Sequence, residues 1–159
     1  MNRLIIGVIA ITTFSGNVLG VEKPLEILPE RLGHYWLLDA ASAQARVPNS
    51  GHNLDAPSCA AVSYIVEKNG TTSHVKLERI VPPSALGKVA VNIVAGMRFA
   101  PAPANLGKDR VATYVVIPFN LPSANAARQA QRELRARVLG KCQLGKQAQH
   151  KDDVVHIVQ

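Results

Sequence analysis

The clearest hydrophobic pattern in the chain begins at residue 59, where the alternation of side chains predicts a β-hairpin. Val62 and Tyr64 lie two residues apart with smaller or more polar residues around them, and this period of two is typical of a strand. Asn69-Gly70 follows, and because both residues tolerate a positive φ the pair favours a tight turn. The chain is therefore expected to reverse here and to return as a second strand.

The second strand is expected from Thr72 to Val81, and a helix follows it. Alternation places three apolar residues on one face of this strand: Val75, Leu77 and Val81. Two prolines end the strand, because proline has no amide donor. Ser84 then caps a helix that reaches about Arg98. Its apolar residues fall at three- and four-residue spacings and form one stripe: Leu86, Val89, Ala90, Ile93, Val94 and Met97.

A third strand is expected from Val111 to Phe119, after a loop that contains proline and glycine. The helix carries the chain back along the hairpin, so the third strand runs antiparallel to the first strand and pairs with it. The sequence therefore predicts an α+β fold with a three-stranded antiparallel sheet, in the order two-one-three, and helices on one face. Strands two and three form the edges of this sheet.

Four short segments follow one another through this region: residues 59–70, 75–79 and 97–102, then Gly107 before a valine-rich strand. In order and spacing they resemble the C-terminal domain of the TonB family of energy transducers, and residues 59–122 are interpreted as a TonB-like domain. The resemblance implies a three-stranded sheet with two helices and a place in the periplasm of a Gram-negative bacterium. It also implies that the domain binds a short segment of an outer-membrane receptor, added as a strand at the edge of the third strand.

Residues 21–58 give weaker signals, and the strongest of them predicts a short helix from Tyr35 to Arg46. Leu37, Leu38 and Ala41 are near helical spacing there. This helix would supply the first helix of the family, with its aromatic pair Tyr35 and Trp36 as buried anchors. The alternative is that the two aromatic side chains contact a ligand.

Residues 1–20 have the pattern of a secretory signal peptide. Arg3 precedes an apolar run from Leu4 to Phe14, and a softer part ends at Gly20. The mature chain is then expected to begin near Val21 and to be soluble in the periplasm. The alternative is a retained anchor in the inner membrane, although polar residues interrupt the apolar run before it reaches the length of a spanning helix. An anchored chain would be a short energy transducer.

Residues 123–159 are expected to form a basic helix and a flexible tail. Ser123 caps a helix from Ala124 to Leu139, and this helix carries a share of the formal net charge of +7. The helix contains four arginines: Arg128, Arg132, Arg135 and Arg137. One interpretation of these arginines is that they form a solvated face of the helix. The other is a docking surface for an anionic membrane or an acidic protein, made by Arg128, Arg132 and Arg135.

The sequence contains no pattern that indicates catalysis. It has no nucleophile elbow, no phosphate-binding loop and no dinucleotide fingerprint. The five histidines are not spaced as ligands on one element, and two cysteines are too few for a four-cysteine zinc site. We therefore expect no catalytic residue, no metal, no cofactor and, in an exported chain, no nucleic-acid partner.

The two cysteines are expected to form a disulfide bond between Cys59 and Cys142. Exported proteins meet an oxidising environment, and an even number of cysteines favours pairing there. The predicted topology brings the start of strand one and the end of strand three to the same end of the sheet, so the chain after the third strand must fold back for the pair to meet. The alternative is a buried Cys59 and a separate exposed thiol at Cys142.

Pro118 indicates which backbone groups of the third strand face outwards. Proline is tolerated in a sheet where its nitrogen faces an open edge, and backbone groups alternate sides along a strand. The residues that point the same way as Pro118 are Ala112, Tyr114 and Val116, and these are the predicted peptide-binding residues. The alternative is an edge already covered, either by the β-prone tail from Val154 to Val158 or by a second copy of the chain.

Two classes of function follow from these patterns. The first is a periplasmic module that binds an extended peptide of an outer-membrane receptor or of another envelope protein by edge-strand addition. The second is a structural protein of the cell envelope that works through its basic helix.

Overall fold

A computed structural model describes residues 22–46 and 48–145 of the chain. The predicted signal peptide at residues 1–20 and the β-prone tail from Val154 to Val158 lie outside the described residues. None of the helices that are described is both long enough and apolar enough to cross a membrane.

The fold is α+β. The described residues form six strands: β1 (Leu25–Glu26), β2 (Trp36–Leu38), β3 (Ser58–Val66), β4 (Thr72–Val81), β5 (Phe99–Pro101) and β6 (Val111–Phe119). They form two α-helices: α1 (Leu86–Gly96) and α2 (Gln129–Gly140). Two short 3-10 helices lie at Pro29–His34 and Ala40–Ser42.

The central sheet has four strands in the order β1-β6-β3-β4. β3 pairs antiparallel with β4 on one side and with β6 on the other, so the expected order two-one-three is present. The prediction of a purely antiparallel three-stranded sheet is wrong, because β1 adds a parallel strand outside β6. A strand of two residues is too short to leave a periodic pattern in the sequence.

The turn between β3 and β4 is tight and is held against a neighbouring strand. Gly70 has a φ of 78°, and its N–H donates to the carbonyl of Glu67 at 2.8 Å. The Phe99 N–H at the start of β5 donates to the Gly70 carbonyl at 2.9 Å. A Cβ atom on residue 70 would lie 2.0 Å from the Phe99 carbonyl oxygen. The turn therefore requires glycine both for its conformation and for the close approach of β5.

An irregular register in β4 changes which side chains face the main core. Ala61 pairs with Arg79 but Val62 pairs with Leu77, so one residue of β4 has no counterpart in β3. Beyond this bulge Ile80 packs with Leu77 in the main core, whereas Val81 packs on the opposite face. The prediction that Val81 shares a face with Leu77 is wrong for this reason.

The main core lies between α1 and one face of the sheet. The helix stripe predicted from the sequence is confirmed, since all six of its residues are buried. The stripe packs against alternate residues of β3: Ala60, Val62, Tyr64 and Val66. The N-cap is Ala85 and not the predicted Ser84, whose Oγ accepts from the Leu86 N–H at 3.3 Å. The helix ends at Gly96, two residues earlier than predicted, so Met97 of the stripe lies just beyond it.

The short helix expected from Tyr35 to Arg46 is absent. The chain there forms β2, which pairs antiparallel with β5, and a 3-10 turn in which Asp39 accepts from the Ala41 N–H at 3.0 Å. Trp36 is a buried anchor as expected, but it belongs to a strand and not to a helix. The apolar spacing was compatible with both structures, and pairing with β5 decided between them.

α2 packs on the face of the sheet opposite α1, so the expectation of helices on one face is wrong. A small second core joins α2 to β3, and it contains the disulfide bond between Cys59 and Cys142, which confirms the predicted pairing. α2 begins five residues later than expected because Ser123 closes a turn instead of capping the helix. Its Oγ accepts from the Asn125 N–H, and its carbonyl accepts from the Ala126 N–H.

Candidate functional site

The outer edge of β6 carries the three residues predicted to bind a peptide, and the structure covers it at one of them. The Ile27 N–H donates to the Ala112 carbonyl at 3.0 Å, and the Leu25 N–H donates to the Arg110 carbonyl at 2.8 Å. The outward direction of Ala112 is therefore confirmed. The prediction that Ala112 is free to bind is wrong, because β1 is paired with it.

Beyond β1 the edge has no strand partner in the part of the chain that the structure describes, although the 3-10 helix Pro29–His34 lies beside β6. β1 ends at Glu26, and within this part no hydrogen bond from outside the sheet reaches the backbone of Tyr114 or Val116. β6 continues to Phe119 in an uninterrupted pairing with β3. Two of the three predicted residues thus keep outward backbone groups without a strand partner among the described residues.

A groove of about 440 Å³ adjoins this edge on the α2 side of the sheet. Its walls are largely apolar and come from the chain after β1, from β6 and from the chain after α2: Ile27, Leu28, Ala112, Tyr114, Leu144 and Gly145. Its floor is polar and comes from Ser63 on β3 and from Lys76 and Glu78 on β4. α2 covers the sheet near the disulfide bond and leaves this part of the same face uncovered.

The polar groups of the groove floor bind one another. Ser63 Oγ donates to Glu78 Oε1 at 2.7 Å, and Lys76 Nζ donates to Glu78 Oε2 at 3.0 Å. The bond from Ser63, followed by the contact with Lys76, holds the pKa of Glu78 below its ordinary value. The Glu78 carboxylate is thus ionised at neutral pH and already has a counter-charge, so the floor presents no unpaired charge to a ligand.

Tyr114 belongs both to the open edge and to the groove. Its backbone faces outwards along β6, while its Oη donates to the Leu144 carbonyl at 3.1 Å. Burial raises the pKa of Tyr114, and the negative charge of Glu30 raises it further, so the phenol is neutral at physiological pH. The ring is therefore a fixed wall of the groove.

An ion pair fixes the start of β6 and the chain that leads into β1. Arg110 donates to both carboxylate oxygens of Glu67, at 2.6 Å and 2.9 Å, and its Nη1 donates to the Glu22 carbonyl at 2.6 Å. Ser73 Oγ also donates to Glu67. The hydrogen bonds from Arg110, with a further contribution from Ser73, lower the pKa of Glu67 to about 2. The Glu67 and Arg110 side chains are 25% and 14% exposed, so solvent screens the pair only in part.

This ion pair makes stability depend on pH in the acid range. The folded-state pKa of Glu67 lies below its unfolded value, so its contribution is present above about pH 4.5 and is lost as the pH falls towards about 2. We expect Glu67→Gln to lower the free energy of unfolding at neutral pH by about 1 to 2 kcal/mol, and by much less at about pH 2. Urea denaturation of the wild-type chain and the variant across this range measures the difference.

Glu26→Gln serves as the matched control for that experiment. Glu26 is exposed, and its contact with Lys23 is long at 4.0 Å. Its substitution is expected to change the free energy of unfolding by less than about 0.5 kcal/mol. An equal loss in Glu67→Gln at both ends of the pH range would contradict the role given to the ion pair.

The arginines predicted as a membrane-docking surface are partly engaged within the fold. Arg132 Nη1 donates to the carbonyls of Ala126 and Ala127, and Arg135 Nη1 donates to the carbonyl of Pro122. These bonds hold the loop before α2 against the helix. Arg128 is exposed at the start of α2. The binding of anionic membranes through these residues stays a prediction.

The sequence predicted neither the groove nor β1, the strand that shortens the open edge. β1, Leu28 and Leu144 lie in segments without periodicity, and only the folded chain brings them beside β6. The only feature of the sequence that pointed to this site was Pro118, which predicted that the backbone groups of Tyr114 face outwards.

The described residues contain no group of three histidine, cysteine, aspartate or glutamate side chains placed to hold a metal ion. Comparison with family models, with curated proteins and with solved structures finds no match to this chain. The likeness to the TonB C-terminal domain therefore stays a prediction that depends on the segments between residues 59 and 107.

Proposed function

We propose that the protein is an interaction module of the bacterial envelope that binds an extended peptide as an added strand on the outer edge of β6. The observation that carries the proposal is that the outward backbone groups of Tyr114 and Val116 have no strand partner among the described residues. An exposed row of N–H and C=O groups is a template for strand addition. The resemblance to the TonB family supports peptide binding at the same edge, because family members bind a receptor segment at the edge of the corresponding third strand.

The other edge of the sheet is less suited to this role. β4 has two register shifts against β3, and His74 within it has a positive φ of 50°. Its exposed side chains include the charged residues Lys76, Glu78 and Arg79. Bulges and charged side chains are common protections of sheet edges against strand addition. β6 pairs with β3 without a break, so its edge presents evenly spaced groups.

The disulfide bond supports an exported protein. Cystines persist in oxidising compartments such as the bacterial periplasm, and the bond between Cys59 and Cys142 is buried. This agrees with the secretory signal expected at residues 1–20. A peptide partner in the same compartment would be a segment of an outer-membrane receptor or of another envelope protein.

Amide hydrogen exchange on the full chain tests the proposal, using synthetic peptides selected for binding from a displayed random library. We expect a bound peptide to slow exchange at the amides of Tyr114 and Val116, because these groups face outwards. The amides of Thr113 and Val115 face β3, so their exchange is expected to change little. The alternate residues of one strand thus act as the internal control.

Two results would contradict strand addition at this edge. The first is equal slowing at all four residues, which would indicate general stabilisation of the fold. The second is protection of Tyr114 and Val116 in the free chain that persists when residues after Lys151 are deleted, since the edge would then be closed by something other than the tail.

A further inference from the structure

We infer that the groove beside Tyr114 is a specificity pocket, which accepts an apolar side chain of the bound peptide with a lysine or arginine two residues away in the same peptide. This inference rests on the proposed function, because the peptide is held by the edge of β6. It adds the chemical class of the peptide. Hydrogen bonds to the backbone of β6 do not distinguish one peptide side chain from another, whereas a pocket does.

The geometry of a strand places peptide side chains over the groove. Ala112 and Tyr114 project from the α2 side of β6 and line the groove. In a strand added outside β6, every second side chain lies on that same side, directly beside its neighbour in β6. Leu28 follows β1 closely and lines the groove at the end where the pairing of β1 with β6 stops. Alternate side chains of the peptide therefore enter the groove.

The lining of the groove favours an apolar side chain there. The floor carboxylate of Glu78 is already paired with Lys76 and Ser63, so a charged ligand group would find no open counter-charge. Leu28 is 37% exposed at the wall, and contact with an apolar side chain would remove this surface from water. The volume of about 440 Å³ lies within the range of roughly 300–1,000 Å³ that is common for small-ligand pockets.

The rim of the groove carries a carboxylate, although the protein as a whole is basic. Glu26 pairs with Ala112 and therefore projects from the α2 side, and its contact with Lys23 is 4.0 Å long between exposed side chains. A cationic side chain on the same side of the peptide would be attracted to this carboxylate. The local charge thus selects a different residue type from the one that the net charge of +7 would attract.

The substitution Ala112→Leu tests the pocket without changing the backbone edge. Its larger side chain occupies the part of the groove beside β6, where a peptide side chain would enter, whereas the outward groups of Tyr114 and Val116 remain in place. Ala100→Leu on β5 is the matched control, since Ala100 is exposed and does not line the groove. Urea denaturation of both variants establishes that each is folded.

Peptides selected on the full chain from a displayed random library are the probe. We expect apolar residues and a lysine or arginine at alternate positions, so that both kinds of side chain project from the α2 side. The selected peptides should bind Ala112→Leu at least about tenfold more weakly than the wild-type chain and should bind Ala100→Leu equally well. Charge reversal by Glu26→Lys should weaken the binding of peptides that carry the cationic residue and leave the binding of their glutamine analogues unchanged.

Each remaining outcome overturns a defined part of the argument. Peptides that protect Tyr114 and Val116 but bind Ala112→Leu as tightly as the wild type would refute the pocket and leave the proposed function intact. The absence of any peptide that protects these amides would refute both. Protection of Tyr114 in the free chain, lost when the chain is cut after Gly145 or when it is diluted, would show that the tail or a second copy occupies the site, and would refute a pocket for a foreign peptide.

Discussion

Removal of the disulfide bond by the double substitution Cys59→Ala and Cys142→Ala is expected to lower the free energy of unfolding by about 4 to 5 kcal/mol. The two residues are separated by 83 positions, so the bond closes a long loop and restricts the unfolded chain strongly. Both cysteines are fully buried in the second core, and alanine at each position removes little apolar volume beside that effect. Urea denaturation followed by circular dichroism measures the loss.

The loss of local stability that follows removal of the disulfide bond is expected to be larger in α2 than in the sheet. α2 has no fully buried residue and is held to the sheet by Val138 and Leu139 around the cystine. Its amides should therefore exchange faster in the double variant, by a larger factor than those of β3. The wild-type chain kept reduced without alkylation provides the control and should reproduce the double variant within about 1 kcal/mol. An unchanged urea midpoint after either treatment would show that the bond does not stabilise the fold.

Replacement of Trp36 by alanine is expected to cost about 3 to 5 kcal/mol, which is typical of a large aromatic side chain removed from a core. Trp36 is 1% exposed and belongs to the main core. Its Nε1 donates to the Asp109 carbonyl at 2.9 Å, so the indole also fixes the loop that leads into β6. Trp36→Phe keeps most of the apolar contact and loses only this hydrogen bond, with an expected cost of about 1 to 2 kcal/mol.

The neighbouring residue gives the matched control for this prediction. Leu37 is 48% exposed on the same strand, and Leu37→Ala is expected to cost less than about 1 kcal/mol. Trp36 is the only tryptophan of the sequence, so the variants are followed by circular dichroism. A loss for Trp36→Ala no larger than that for Leu37→Ala would show that the side chain is not the anchor of the N-terminal segment.

The elements with a local pattern of residues were predictable from the sequence. The hairpin from β3 to β4 depends on alternating side chains and on Asn69-Gly70, and the boundaries of β6 follow from an unbroken alternation. The buried stripe of α1 was equally predictable, because its spacing fits a helix and the prolines before it exclude a longer strand. The antiparallel neighbours of β3 followed from chain direction alone.

Tertiary structure decided the elements that are too short or too ambiguous for a periodic signal. β2 contains apolar residues that also suit a helix, and its pairing with β5 made it a strand. The bulge in β4 shifted Val81 to the other face, and no residue type at that position announces such a shift. The two-residue β1 is stabilised by bonds to Arg110 and Ala112, which are distant in sequence.

The candidate site divides in the same way. Pro118 lacks an amide hydrogen. This property of one residue was sufficient to predict that the backbone N–H and C=O groups of Tyr114 and Val116 face away from β3. The extent of the open edge and the groove beside it were not predictable, because both depend on where β1 and the chain after α2 come to lie. Direction along a strand is fixed by local backbone geometry, whereas access to that strand depends on packing between segments that are far apart in the sequence.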